Sequence, residues 1–168
     1  MILGLMMIPG ITTLMTRYVL IRDLNLLNTL WAVILPGIFG ANAFNIFVLR
    51  TFFASLPEEI FESARLDGAG HLMIFGRIVL PLSWAIISSL AILEVLGTWN
   101  DYVWPMMVLQ RLRLRTISVG LVSLFTNQNP DTPAQMAGSV IASIPLLILF
   151  FFAMRTFIQG LSAGAIKM

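Results

Sequence analysis

Residues 55–81, SLPEEIFESARLDGAGHLMIFGRIVLP, are the polar exception in an apolar chain. They hold four of the eight acids (Glu58, Glu59, Glu62, Asp67), two arginines (Arg65, Arg77) and the only histidine, His71. Ser55-Leu56-Pro57-Glu58 matches a capping box, with Pro57 early enough that its missing N–H costs nothing. The pattern predicts a helix of about ten residues ending at Leu66. Leu56, Ile60 and Ala64 recur at helical spacing with Phe61 beside them, while Glu58, Glu59, Glu62 and Arg65 take the remaining faces. Glu62 and Arg65 are spaced for an ion pair. Asp67-Gly68 ends the helix, and Gly68 and Gly70 permit backbone angles that other residues avoid. A second short helix, His71 to Val79, offers Leu72, Phe75, Ile78 and Val79. Pro81 stops it or opens the next segment. Neither helix is long enough to cross a membrane, so the stretch reads as a docking element hung between apolar segments.

The chain around it is a membrane chain. Of its 168 residues, 58% are hydrophobic and 11% charged, and the mean hydropathy is +0.92. Soluble domains carry about 25% charged residues, so this chain has too few to cover a wet surface. The net charge of +2 marks no nucleic-acid partner. With no cysteine, disulfides and thiol chemistry are excluded.

Residues 1–16 form a first apolar segment, about 24 Å long if helical, which is short of the ~30 Å hydrocarbon core. Pro9-Gly10 is expected to kink or end it. Residues 17–27 read as an interfacial helix. Asn28 or Thr29 is placed to cap a second segment running to Val48, with Arg50 at its end. Within it, Asn42 and Asn45 share a face, either as inter-helix glue or as a contact to cargo. A third segment, 82–109, carries Glu94 near its middle. In a span a carboxyl is either a functional group or one paired against a neighbouring helix. Asn100 and Asp101 lie toward its far end among Trp99, Tyr102 and Trp104, an aromatic belt. Pro105 argues against one straight helix. After an exposed loop with Arg111, Arg113 and Arg115, a last segment covers 134–154. There Gly138 and Ala142, and Ser139 and Ser143, have small-xxx-small spacing. Arg155 ends it, and Gly160 and Gly164 punctuate the tail. The count is three spans plus a partial one.

Several chemistries are excluded. No phosphate-binding G-x-x-x-x-G-K-[ST] loop is present, and the only lysine is Lys167, so ATP is not expected to bind here. No Ser/His/Asp arrangement is available. The acids of 55–81 read as a solvated face rather than a metal site. The chain is expected to be no enzyme and to hold no cofactor or metal.

Glu62-Ser63-Ala64, Asp67-Gly68-Ala69 and Ile78-Val79-Leu80-Pro81 together resemble the EAA signature of ABC-type importer permeases. Met7-Ile8-Pro9-Gly10, Phe47-Val48-Leu49-Arg50, Trp99-Asn100-Asp101 and the tail Gly160-Leu161-Ser162-Ala163-Gly164-Ala165 are similar to the sugar-importer branch, in its second permease subunit. The resemblance implies an all-α polytopic helical bundle of the type I ABC importer permease fold. It would form one transmembrane domain over residues 1–168, with 55–81 as a cytoplasmic coupling loop. Implied partners are ATP-binding cassette subunits, a second permease subunit, an extracytoplasmic solute-binding protein, a sugar and membrane lipid. The implied coupling residues are Glu62, Ser63, Ala64, Asp67, Gly68, Ala69, Leu80 and Pro81, with Leu56, Ile60 and Phe61 as the apolar stripe. Asn42, Asn45, Glu94, Asn100 and Asp101 are candidates for the translocation path. Ser63 departs from the usual alanine, and Trp84-Ala85 stands where the family often has a second proline. The family carries further spans upstream, so the chain is expected to be N-terminally incomplete.

Arg50, Arg65, Arg77, Arg155 and Lys167 lie on the loop's side of the membrane, and Arg17, Arg22, Arg111, Arg113 and Arg115 on the other. Counting positive charges therefore gives no orientation. The resemblance puts the loop and the C-terminus in the cytoplasm. Other readings are an importer for amino acids or phosphate, an ion-coupled secondary transporter using Glu94 and Asp101, and a nonfunctional truncated remnant.

Overall fold

Helices account for the regular structure among the described residues, with no strand. The computed structural model describes residue 4 and residues 6–39, 43–126 and 131–165, from 155 onward as backbone alone. Two compact units form, one from Leu3–Ala41 and Val95–Leu149, the other from Asn42–Glu94 and Phe150–Met168.

In the first unit a 3-10 turn, Gly10–Thr13, leads into α1 (Leu14–Asp23). Residues 4 and 6 are helical and the chain turns at 7–8, so the helix ends before Pro9 as expected and Pro9 opens the next turn. Helix α1 runs across the expected boundary at residue 17. Then come α2 (Trp31–Phe39), α8 (Val103–Val108), a 3-10 turn at Leu112–Leu114, α9 (Ile117–Phe125) and the start of α10 (Thr132–Ala165). The core is Ile21, Ala32, Trp104, Val108 and Leu109. Trp104 is buried, its Nε1–H donates to the Ala32 carbonyl at 2.9 Å, and the Arg17 guanidinium lies 5.4 Å from its ring centroid. It belongs to the core, not to an interfacial belt, because this hydrogen bond lets the whole indole leave water.

Asn28 caps nothing. Its φ is +58°, and its side-chain Oδ1 accepts from the Gln110 and Arg111 amides at 2.8 and 3.0 Å. Its own amide donates to the Val108 carbonyl at 2.9 Å. It ties the α1–α2 turn to the chain beyond α8. Between α9 and α10, buried Gln135 donates to the Leu124 carbonyl at 2.9 Å, one of the orphan acceptors at a helix end. A Cβ on Gly138 would stand 3.2 Å from a Leu124 methyl carbon, so the glycine sets how closely α10 packs.

In the second unit α3 (Ala43–Ala54) and α4 (Glu58–Leu66) are followed by α5 (His71–Ile74), a π turn (Phe75–Val79) and α6 (Leu80–Leu82). Most of α7 (Trp84–Asn100) follows. Pro81 does not stop the helix, which reaches Leu82. The π turn runs directly into α6, where the Leu80 amide donates to the Phe75 carbonyl five residues back. The chain bends by 71° between Leu82 and Trp84. Ser83, fully buried at the bend, donates its hydroxyl to the Val79 carbonyl at 2.6 Å.

By length and composition, Trp31–Ala54 and Thr132–Met154 can each cross a membrane, and His71–Leu82 with Trp84–Asn100 can do so only as a bent pair. That gives two spans or three among the described residues. The third expected segment is broken at both ends: α7 stops at Asn100, and α8 restarts at Val103 with Pro105 in its first turn. A proline there removes a donor that had no partner, so the break precedes it. Nor does Arg155 end the last helix, which continues through Gly160 to Ala165. A single glycine costs only ~1 kcal/mol within a helix.

Candidate functional site

Helix α4 begins at Glu58 behind Pro57, which is extended (φ −60°, ψ 132°), and no side chain caps it. The capping box does not form. Leu56 precedes a proline and is pushed out of the helical region, so it cannot be the first helical residue that the box requires. The Ser55 hydroxyl donates instead to the Phe52 carbonyl at 2.7 Å.

The other end of α4 is built as the sequence implies. The Gly68 amide donates to the Arg65 carbonyl at 3.0 Å and the Ala69 amide to the Ala64 carbonyl at 2.9 Å. This pair of bonds is a Schellman motif, and it needs a left-handed residue after the cap. Gly68 supplies it at φ +80°, with open space where a Cβ would stand. Its requirement is backbone angle, not room. Gly70 has φ −74°, which any residue adopts, so it is not a conformational glycine.

Ala64, Ile74 and Val79 form a small core with Phe53, Phe61, Ala69 and Ile78 packed on it. The contact between Ala64 and Ala69 closes the Schellman turn apolarly. Of the expected stripe, Ala64 is buried, while Phe61, Leu56 and Ile60 are half-buried. Glu62, Ser63, Asp67, Leu80 and Pro81 are exposed. The Glu62–Arg65 ion pair is not made; the one ion pair among the described residues joins Arg22 and Asp23 at 2.9 Å. The apolar side chains left barest in the loop are Leu66 and Leu72, each 89% exposed. They flank the Gly68 turn. Sequence periodicity missed their prominence, because Leu66 falls off the i, i+4 stripe and Leu72 starts a new helix.

Of the candidate path residues, Asn42 lies outside the described residues. Half-buried Asn45 donates from Nδ2 to Glu94 Oε2 at 3.4 Å, so α3 and α7 share a polar contact within the second unit. Asn100 and Asp101 belong to the first unit. The Asn100 side-chain amide donates to the Leu96 carbonyl at 2.8 Å. Asp101 Oδ1 accepts from the Trp104 amide at 3.3 Å, at the start of α8. Among the described residues, no three of His, Cys, Asp and Glu are grouped to hold a metal.

The first unit also contains a cavity of about 320 Å³, whose lining includes Trp99, Asn100, Tyr102, Ser118, Ser139 and Ser143. Sequence reasoning missed it. Ser139 and Ser143 read as packing residues, and Ser118 falls in the stretch read as an exposed loop, which here forms α9. The signal that was present is two serines four apart, a polar stripe on an otherwise apolar helix.

Residues 1–163 match the family described as binding-protein-dependent transport system inner membrane component. The chain is 37% identical over 99% of its length to the arabinooligosaccharides transport system permease protein AraQ of Halalkalibacterium halodurans, covering 59% of that protein. It is 35% identical over 96% of its length to the maltodextrin transport system permease protein MdxG of Bacillus subtilis, covering 58%. With the melibiose/raffinose/stachyose import permease protein MelC of the same organism it shares 31% identity over 99% of its length, covering 61%. The chain thus spans about three-fifths of the length of these relatives. It belongs to the family of binding-protein-dependent transport system inner membrane components.

Proposed function

We propose that this chain is part of the second permease subunit of an ATP-driven importer for sugars or oligosaccharides, a single transmembrane domain that uses residues 55–81 to receive mechanical work from an ATP-binding subunit. One observation carries the reading. Leu66 and Leu72 stand almost fully exposed on either side of a rigid glycine turn, in the one long polar stretch of the chain. Outside lipid, bare leucines flanked by acids are a poor solvent-facing surface and a good helix-in-groove anchor. Glu62 and Asp67, exposed beside them, suit basic residues at a groove's rim. Ala64, Ala69 and Gly68 hold the turn in shape, and Ser63, Leu80 and Pro81 complete the element.

The loop and the C-terminus face the cytoplasm in this reading. The remaining partners are a second permease, an extracytoplasmic solute-binding protein that delivers the sugar, and membrane lipid. The names of the relatives, which cover arabinooligosaccharides, maltodextrin and melibiose, raffinose and stachyose, support carbohydrate as the cargo class. Hydrolysis of ATP belongs to the separate subunit, and Asn45 with Glu94 belongs to the translocation path.

The test is co-purification of the ATP-binding subunit with the full permease pair. Burying a leucine contributes about 2 kcal/mol, so Leu66→Glu or Leu72→Glu should each weaken the association about thirtyfold. Glu62→Lys should uncouple uptake while membrane insertion stays intact. Wild-type association and coupling in all three variants would remove the docking assignment.

A further inference from the structure

We propose that the cavity bounded by the C-terminal end of α7, α9 and α10 is a subsite for one ring of a neutral sugar in transit. The proposal rests on the reading of the chain as a sugar permease and adds a residue-level site to it. At about 320 Å³ the cavity sits at the low end of small-molecule sites, about 300–1,000 Å³, which suits a single ring rather than a whole oligosaccharide.

Its serine hydroxyls are one-sided. A serine hydroxyl has one proton to give and two lone pairs to receive with. Ser139 donates that proton to the Gln135 carbonyl at 2.8 Å and Ser143 to the Ser139 carbonyl at 2.7 Å. Ser118 donates to the Trp99 carbonyl. The Asn100 side-chain amide donates one N–H to the Leu96 carbonyl at 2.8 Å, leaving its other N–H and Oδ1. The serines therefore offer a ligand lone pairs, while Asn100, Trp99 and Tyr102 add N–H and O–H donors. A ligand rich in hydroxyls, each of which donates and accepts, complements that wall.

Charge narrows the class further. Among the described residues no Arg, Lys, Asp or Glu lines the cavity, so a phosphate or a zwitterionic amino acid would lose hydration without an ionic partner. Trp99 and Tyr102 add flat amphipathic surfaces, suited to the C–H face of a pyranose or furanose ring. A lipid chain would fill the volume but leave the serine and asparagine acceptors unmatched.

The test uses the complete transporter in liposomes, with maltotriose, raffinose and arabinotriose as probes and phosphate as a control. Sugar moved per ATP hydrolysed is measured for wild type, Asn100→Ala, Ser139→Ala, Trp99→Ala and Trp99→Phe. Trp99→Ala and Asn100→Ala are expected to lower that ratio about tenfold, equivalent to 1.4 kcal/mol, and to change the ranking among the sugars. Trp99→Phe restores most of the loss, and binding-protein-stimulated ATPase persists throughout. If the wild type moves a sugar and every variant keeps its ratio and ranking, the subsite is wrong while the sugar reading stands. An equal loss for every sugar together with lost ATPase stimulation means Trp99 is structural, and the subsite is again wrong. If the wild type moves phosphate and none of the sugars, the sugar reading fails and the subsite falls with it.

Discussion

Asn28 illustrates what single residues do here and why the sequence conceals it. An asparagine before an apolar run is a reasonable helix cap, and that is how its position reads. Its real partners are amides 82 and 83 residues away, and backbone amides carry no signature in a sequence. Asn28→Ala removes two hydrogen bonds and forces alanine to φ +58°, a loss of about 2 kcal/mol. Asn28→Asp keeps both an acceptor oxygen and tolerance of the left-handed region, and should recover most of it. Thermal unfolding in detergent of the two variants beside wild type checks this. Equal losses would mean that the tie between the turn and residues 110–111 contributes nothing. Trp104 teaches the same lesson. Its aromatic neighbours suggested an interface, whereas a carbonyl 72 residues away lets it bury.

Among elements, α4 and its turn were legible where chemistry is local and illegible where one local rule overrides another. Asp67-Gly68 reads as a stop, and the Schellman bonds realise it. Ser55-Leu56-Pro57-Glu58 reads as a capping box, but the steric restriction that Pro57 places on Leu56 wins. The bend at Ser83 had no signature at all, since Pro81 pointed two residues early. The two glycines of the loop separate angle from space. Gly68→Ala should cost about 1–2 kcal/mol of turn stability, whereas Gly70→Ala, at φ −74°, should stay within about 0.5 kcal/mol of wild type. Arg65 is exposed one turn before Gly68, so limited trypsin digestion in proteoliposomes reads the opening directly. Cleavage after Arg65 should accelerate about 5- to 30-fold in Gly68→Ala and stay unchanged in Gly70→Ala. Equal rates in both variants would show that the positive φ contributes nothing to loop order.

For the whole molecule, composition made the membrane class plain, and helical periodicity located the apolar segments, but neither fixed how many segments cross or which way they face. The span count depends on the bend at Ser83, which length and hydropathy do not sense. Orientation is hidden for a different reason: five positive residues fall on each side of the membrane in the sequence-derived topology, so the usual charge asymmetry cancels. The proposed coupling role would put residues 55–81 in the cytoplasm, and with the bent pair His71–Leu82 and Trp84–Asn100 crossing once the arginines of 111–115 would then face outside. The absence of native cysteine turns this into a clean experiment. Glu59→Cys and Arg113→Cys replace exposed side chains in a chain with no other thiol. In the assembled transporter, a membrane-impermeant maleimide should label Arg113→Cys in intact cells and Glu59→Cys only in inside-out vesicles. The ATP-binding subunit should protect Glu59→Cys when it is bound and release it when stripped, because the same face cannot be both docked and open to reagent. Labelling of Glu59→Cys from outside would overturn the orientation. Labelling from inside that is indifferent to the ATP-binding subunit would keep the orientation and remove the docking face.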